Sequence, residues 1–231
     1  MRQKILCSVC ILGLVFALPV TAGRVNVPGF SGNFTVPASS LKEARWESVV
    51  RQQYDFSCGS AAIATLLSFH YDRQVSEAEV FETMFRAGNQ DKIRADGFSM
   101  LDMKKYLDDV GLRSDGFRMN LDQLSGIGVP AIALVNTNGY RHFVVVRGMR
   151  EDDVLLADPA IGSIKVPREH FEAIWDGTVL ASRDSLMVAR ENFNAERDWR
   201  VWPKAPLRQA PDRAGLGMFL LSLPGRNELG R

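Results

Sequence analysis

Cysteine and histidine are scarce in this chain, with three of each among 231 residues. An excess of charge is also absent, since the formal net charge is +1. Without a concentrated basic field we expect neither nucleic acid nor an anionic membrane as a partner. A hydrophobic content of 46% and a charged content of 24% are typical of a globular protein with one ordinary domain and some extensions.

The first 22 residues follow the pattern of a signal peptide. A basic start, MRQK, precedes an apolar stretch, and small residues lead to a predicted cleavage site after Ala22. We therefore expect export, with membrane contact only through this segment. An uncleaved anchor is the alternative, although the apolar stretch is a few residues shorter than the roughly 20 that span a bilayer.

Cleavage at this site would leave a single cysteine. Cys7 and Cys10 would be removed, so that Cys58 remains and an internal disulfide is excluded. An unpaired thiol in an oxidising compartment is either deeply buried or kept for its reactivity. Both explanations are open from composition alone.

Patterning divides the rest of the chain into three parts. Residues 23–45 predict an extended lead-in or short strand, 46–190 a folded domain, and 191–231 an Arg- and Pro-rich tail to which we assign no function. The apolar GMFLLSL of that tail is far too short to span a membrane.

Helix signals dominate the first half of the domain. Ser57 is the predicted N-cap of a helix from Cys58 to about Tyr71. Gly88 is the predicted left-handed stop of a second helix, and a third spans 99–110. Three residue pairs predict side-chain capping at helix starts: Ser76 with Glu79, Ser99 with Asp102, and Asn120 with Gln123.

Strand signals dominate the second half. The predicted antiparallel meander consists of 129–135, 140–149, 154–158 and 163–167. A short helix at Arg168–Trp175 and a last strand at Ser185–Ala189 follow. The fold class is therefore α+β, with N-terminal helices packed on a C-terminal antiparallel sheet.

The position of Cys58 favours a reactive thiolate. A helix N-terminus stabilises negative charge through its dipole and free N–H groups. Catalysis also needs an imidazole, and His70 lies roughly 18 Å further along the same helix at 1.5 Å per residue. We expect His70 to be a surface or cap residue, and we give His170, on a late amphipathic helix, little weight.

His142 is the strongest candidate base. It precedes the apolar run Phe143–Val146, so we expect it to be buried and to need a polar partner. A hairpin centred near Glu151 would place Asp158 opposite Val144, within diagonal reach of His142. A buried polar pair without catalytic function is the alternative, but Cys58, His142 and Asp158 together supply a nucleophile, a base and an orienting group.

A side-chain amide upstream of Cys58 could complete the site. Gln52 and Gln53 both lie where an amide could stabilise an oxyanion together with the Cys58 backbone N–H. Spacing alone does not choose between them.

Four segments, QQYDFSCGSAA, HFVVV, LADPAIG and FEAIWDG, give the chain a family resemblance. It resembles the bacteriocin-processing, double-glycine cysteine peptidases, a papain-like family, from about Val49 to about Val179. The resemblance implies Cys58 as nucleophile, His142 as base and Asp158 as orienting carboxylate. It also implies Gln52 as the oxyanion residue, because the family has glutamine six positions before the nucleophile.

The resemblance also carries expectations about biology. Many relatives are transporter domains, whereas this sequence resembles exported stand-alone forms such as the periplasmic peptidase of functional-amyloid secretion. We expect a periplasmic cysteine peptidase that cuts a secreted polypeptide, possible secretion-system partners, and no cofactor, metal or nucleotide. Two rival functions are a peptide-binding or chaperone-like module that does not cut, and a transglutaminase-like acyl transferase.

Overall fold

The structure, a computed structural model, describes residues 24–29, 32–37 and 41–199. The predicted signal peptide and the chain beyond residue 199 lie outside the described residues. The chain forms two compact units, Met1–Ser40 and Leu41–Arg231. In the first, strands β1 (Arg24–Gly29) and β2 (Gly32–Pro37) pair as an antiparallel hairpin within the predicted lead-in.

The described part of the second unit combines helices with one sheet. Its helices are α1 (Leu41–Ala44), α2 (Cys58–His70), α3 (Glu77–Ala87), α4 (Gln90–Asp96), α5 (Met100–Asp109), α6 (Leu121–Ile127), α7 (Arg168–Ile174), α8 (Leu186–Glu191) and α9 (Glu196–Trp199). Its strands are β3 (Ser114–Arg118), β4 (Ala131–Thr137), β5 (Tyr140–Met149), β6 (Asp153–Asp158), β7 (Gly162–Pro167) and β8 (Trp175–Ser182). None of the helices in the described ranges combines the length and apolarity needed to cross a bilayer.

The six strands form one antiparallel sheet in the order β3-β8-β4-β5-β6-β7. The predicted meander β4 to β7 is confirmed, as is the α+β class with helices preceding the sheet. Strands β3 and β8, which extend the sheet beyond β4, were not predicted. Neither shows the apolar alternation of the meander, since each carries glycine and aspartate within its span.

Helices cover both faces of this sheet. The continuous apolar run of β5 is explained by its alternation, because Val145 belongs to the core cluster that includes side chains of α2, α3 and α5, while Val144 belongs to the cluster that includes side chains of α6 and α7. Helix α2 is buried along almost its whole length, and its small residues Ala61, Ala62 and Ala64 are fully enclosed. Close packing of α2 against β5 fixes the helix that begins with Cys58.

The local capping signals determine several helix starts. Ser99 with Asp102, and Asn120 with Gln123, form reciprocal capping boxes. Ser76 accepts a hydrogen bond from the Glu79 backbone N–H at 3.2 Å. Capping is encoded within four residues, so the sequence alone predicts it.

Two of the secondary-structure predictions are wrong. Gly88 has φ −97° and is not a left-handed stop; a Cβ there would lie 2.6 Å from the end of the Ile93 side chain, which would have to shift. The segment predicted as a strand, Ser185–Ala189, begins α8 instead, with Ser185 at the N-cap and Ala189 in the core cluster that includes α2 residues. A short apolar run fits either structure, and tertiary packing decides between them.

Candidate active site

Cys58 is the first residue of α2 and is a free, buried cysteine with 7% of its surface exposed. A tight turn delivers the chain to this position. The Ser57 hydroxyl donates to the Tyr54 carbonyl at 3.0 Å and accepts from the Tyr54 N–H at 3.1 Å. These two hydrogen bonds close the turn that leads into Cys58.

Ser57 occupies the N-cap position of α2, but its side chain makes no capping hydrogen bond. Its hydroxyl is engaged by Tyr54 instead. The first N–H groups of a helix have no intrahelical acceptor. Those beside Cys58 are therefore not satisfied by the Ser57 cap, and the positive end of the α2 dipole favours negative charge on the sulfur.

The structure brings His142 and Asp158 into contact. Strands β5 and β6 pair Val145 with Ala157, so the same register places Asp158 opposite Val144. His142 Nε2 lies 2.8 Å from Asp158 Oδ1, and both residues are buried. This is the arrangement that the hairpin register predicts.

The Asp158 carboxylate is itself held in place. Its Oδ1 accepts a second hydrogen bond, at 2.8 Å, from the Ala160 backbone N–H. That leaves His142 Nδ1, which has no hydrogen-bond partner among the described residues, as the nitrogen that can exchange a proton with the Cys58 thiol.

The electrostatics favour an imidazolium at this position. Burial by itself lowers the pKa of His142, but the hydrogen bond to Asp158 and the negative charge of Asp158 and Cys58 outweigh burial and raise that pKa to about 9. A histidine that stays protonated near neutral pH stabilises a neighbouring thiolate.

Gln52 and Gln53 have different environments. Gln52 is half-buried, and its backbone N–H donates to the carbonyl of Pro159, the residue after Asp158, at 3.0 Å. Its side-chain Nε2 donates to the Tyr54 carbonyl at 3.1 Å and retains one further N–H. Gln53 is exposed. The geometry therefore favours Gln52 as the amide tied to the site.

An open groove of about 920 Å³ leads to Cys58. Its walls combine apolar side chains with charges of both signs. The lining residues include Phe56, Phe98, Met100, Leu134 and Phe143, the acidic Asp55, Asp96 and Asp176, and the basic Lys92, Arg94 and Arg141. Much of one wall comes from α4 and the loop after it, an element that the sequence analysis did not identify. The Asn89 cap, whose side chain accepts from the Lys92 N–H, was the available signal.

Tyr140 also lines the groove and was missed by sequence reasoning. Its ring stacks on His142 with a centroid separation of 5.8 Å and an interplanar angle of 23°. Residues two apart on a strand share a face, so the alternation around His142 was a usable signal.

The other two histidines lie elsewhere. His170 is exposed on α7. His70, at the end of α2, is 1% exposed, so the prediction of a surface or cap residue is wrong. Burial and the nearby charge of Arg147 lower the pKa of His70 to about 3, which keeps its ring neutral. Asn192, which follows α8, packs at this end of α2 and donates a hydrogen bond from its side-chain amide to the His70 carbonyl.

Comparison with known proteins gives matches that cover this site. Residues 46–185 match the sequence model of the Peptidase C39 family. Two relatives carry the name Probable functional amyloid protease FapD. The protein from Pseudomonas fluorescens is 38% identical over 183 residues, which are 78% of this chain and 79% of the relative. The protein from Pseudomonas aeruginosa is 36% identical over 175 residues, which are 74% and 77% of the two chains.

A solved structure shows the same fold. It is the peptidase domain of Streptococcus ComA, a bi-functional ABC transporter involved in quorum sensing. The two chains superpose with a TM-score of 0.51 at 20% identity, over 58% of this chain and 96% of that domain. The helices followed by an antiparallel sheet are thus the architecture of a C39 peptidase domain.

Proposed function

We propose that this chain, which belongs to the peptidase C39 family, hydrolyses peptide bonds with Cys58 as nucleophile, His142 as acid–base and Asp158 as orienting group. One observation carries the proposal most directly. A buried thiol at a helix N-terminus adjoins a histidine whose pKa is raised to about 9 and whose far nitrogen is bound to a buried carboxylate. Family membership supports the same chemistry.

The proposed reaction proceeds through a thioester. The Cys58 thiolate attacks the carbonyl carbon of the substrate, forming a C–S bond. As the peptide C–N bond breaks, the His142 imidazolium donates its proton to the leaving amine. Water then adds to the thioester with His142 as base, which releases the carboxylate product and restores the thiol.

Gln52 is the proposed oxyanion residue. Its remaining amide N–H and the backbone N–H of Cys58 would donate to the oxygen that becomes negative during attack. The hydrogen bond from the Gln52 backbone N–H to the Pro159 carbonyl supports this assignment, because it anchors Gln52 beside the loop that carries Asp158.

For the substrate, we propose a secreted polypeptide cut after paired glycines. The near-complete burial of Cys58 supports small residues beside the scissile bond, since bulky side chains would have to enter an enclosed position. The names of the two relatives support a role in functional-amyloid secretion. We further propose that the chain acts in the periplasm after signal-peptide removal.

The test is a cleavage assay on a proteome-derived bacterial peptide library, with a reductant present. The full chain should generate new peptide termini that Cys58→Ala and Cys58→Ser do not, and both variants should retain the wild-type thermal midpoint. Cleavage by either variant at the wild-type rate would refute Cys58 as nucleophile. Incorporation of ¹⁸O from labelled water into the new carboxylates identifies hydrolysis, whereas new amide products would indicate acyl transfer.

The same data test the finer proposals. Enrichment of Gly-Gly before the cut supports double-glycine specificity, and a random sequence there rejects it. If wild type and variants retain library peptides without cutting them, the chain is a binding module. N-terminal sequencing of the protein recovered from the periplasm tests cleavage after Ala22.

A further inference from the structure

We infer that Tyr140 is a positioning residue that holds the His142 ring in line between Cys58 and Asp158. This inference rests on the function proposed above. Tyr140 would act on the reaction through His142, without contact to the reacting bond.

The geometry of the two rings is the first support. Tyr140 and His142 lie two positions apart on β5 and therefore project to the same side of the strand. Their planes are inclined by 23° with centroids 5.8 Å apart. This is the stacked arrangement in which aromatic pairs attract, and a cationic imidazolium gains further from a π face.

The hydrogen bonds around His142 explain why a stacked ring is needed. The contact from Nε2 to Asp158 lies in the plane of the imidazole, as does the direction from Nδ1 in which a proton would leave. Contacts in the ring plane do not block movement perpendicular to it. The ring of Tyr140 is stacked on one face of the imidazole and therefore restricts movement of the imidazole out of its own plane on that side.

The exposure of Tyr140 is the second support. Tyr140 is 55% exposed, although its ring is stacked on His142, which forms a buried pair with Asp158. Tyr140 lines the same groove as Asp55 and Cys58, and burial, followed by the charges of Cys58, Asp55 and Asp158, raises the pKa of its hydroxyl. An aromatic side chain kept at the mouth of the groove covers one face of a histidine that is 6% exposed.

The experiment measures iodoacetamide alkylation of Cys58 in the full chain as a function of pH, with the Cys58 peptide quantified by mass spectrometry. This probe reports the thiolate without requiring an identified substrate. The variants are Tyr140→Phe, which keeps the ring, Tyr140→Leu, which keeps bulk without a π face, and Tyr140→Ala. Leu101→Ala, at a side chain of 58% exposure on α5, is the matched control.

We expect Tyr140→Phe and the control to match the wild type. Tyr140→Leu and Tyr140→Ala should be alkylated about three- to tenfold more slowly at pH 7, with a higher midpoint of the pH profile and an unchanged thermal midpoint. On a library peptide that the wild type cuts, the same two variants should lose kcat with little change in KM.

Wild-type alkylation by Tyr140→Ala, or full rescue by Tyr140→Leu, would overturn the inference. The two proposals fail differently. If Cys58→Ala abolishes cleavage while Tyr140→Ala has no effect, only the positioning function is rejected. If Cys58→Ala cleaves like the wild type, the proposed peptidase mechanism is rejected whatever Tyr140 does.

Discussion

Replacing Asp158 with asparagine should separate the orienting and electrostatic contributions of this residue. Asparagine retains an Oδ1 that can accept from His142 Nε2 and from the Ala160 N–H, which Asp158 bonds at 2.8 Å each. Orientation is therefore preserved, whereas the negative charge is lost. The prediction is that the variant still cleaves peptide but over a different pH range.

The magnitude follows from the surroundings of His142. Its pKa is raised to about 9 because Asp158 and Cys58 together outweigh burial. An opposite charge at such a distance typically changes a pKa by about 1 to 3 units. The imidazolium is the form that protonates the leaving amine, so activity falls as pH rises through this pKa. We therefore expect the basic limb of the profile of kcat/KM against pH to shift down by about 1 to 3 units in Asp158→Asn, from near pH 9 to between about pH 6 and pH 8.

The assay is kcat/KM against pH for one library peptide, which reports the free enzyme. Titration of labelled imidazole by NMR gives an independent value, since the chain has only three histidines to assign. Asp153→Asn is the matched control, because Asp153 lies on the same strand and pairs with Lys165 at the surface. A basic limb that does not move in Asp158→Asn would refute the electrostatic explanation of the raised pKa.

Three further predictions concern other parts of the domain. Gln52→Ala should lower kcat about 10²- to 10³-fold in the peptide assay, while Gln53→Ala stays near wild type; equal losses would reject the oxyanion assignment. His70→Leu should unfold less readily in acid, because neutral burial of His70 contributes stability that is complete above about pH 6.5 and lost as pH falls toward 3. Denaturant titrations should show the wild type losing about 3 kcal/mol more than this variant between pH 7 and pH 4. Asn194→Ala should lower the free energy of unfolding by about 2 kcal/mol, because the Asn194 side chain accepts from the Met149 N–H and the Asn194 backbone is left-handed. Asn194→Gly also removes the hydrogen bond but tolerates the left-handed backbone, so it should be more stable than Asn194→Ala. Equal thermal midpoints of the two variants would exclude a contribution from the left-handed backbone.

The parts of the fold that sequence reasoning predicted are those encoded locally. The capping box of Ser99 and Asp102 needs only four residues, and the strand Tyr140–Met149 is bounded by turn residues on both sides. The strand Trp175–Ser182 was missed because its pairing partners are distant in sequence and its glycine interrupts the apolar pattern. The segment Leu186–Glu191 fits a strand or a helix by its short apolar run, and the burial of Ala189 in the core cluster favours the helix.

The candidate site also combines features that are encoded locally with features that depend on tertiary packing. A single hairpin register is enough to predict that Asp158 reaches His142. The approach of Cys58 to His142 depends instead on how α2 crosses β5, which no short pattern specifies. The groove wall from α4 and the stacking of Tyr140 are likewise tertiary features.

The crossing of α2 and β5 also explains why two buried histidines behave in opposite ways. Cys58 and His70 are separated by roughly 18 Å of helix, and His142 and Arg147 by roughly 17 Å of strand, so these two stretches match in length. At one end His142 adjoins Cys58 and Asp158, and negative charge raises its pKa. At the other end His70 adjoins Arg147, and burial with positive charge lowers its pKa. Burial lowers the pKa of both rings, and only beside the thiol does negative charge outweigh it, so His142 can serve as an acid whereas His70 stays neutral.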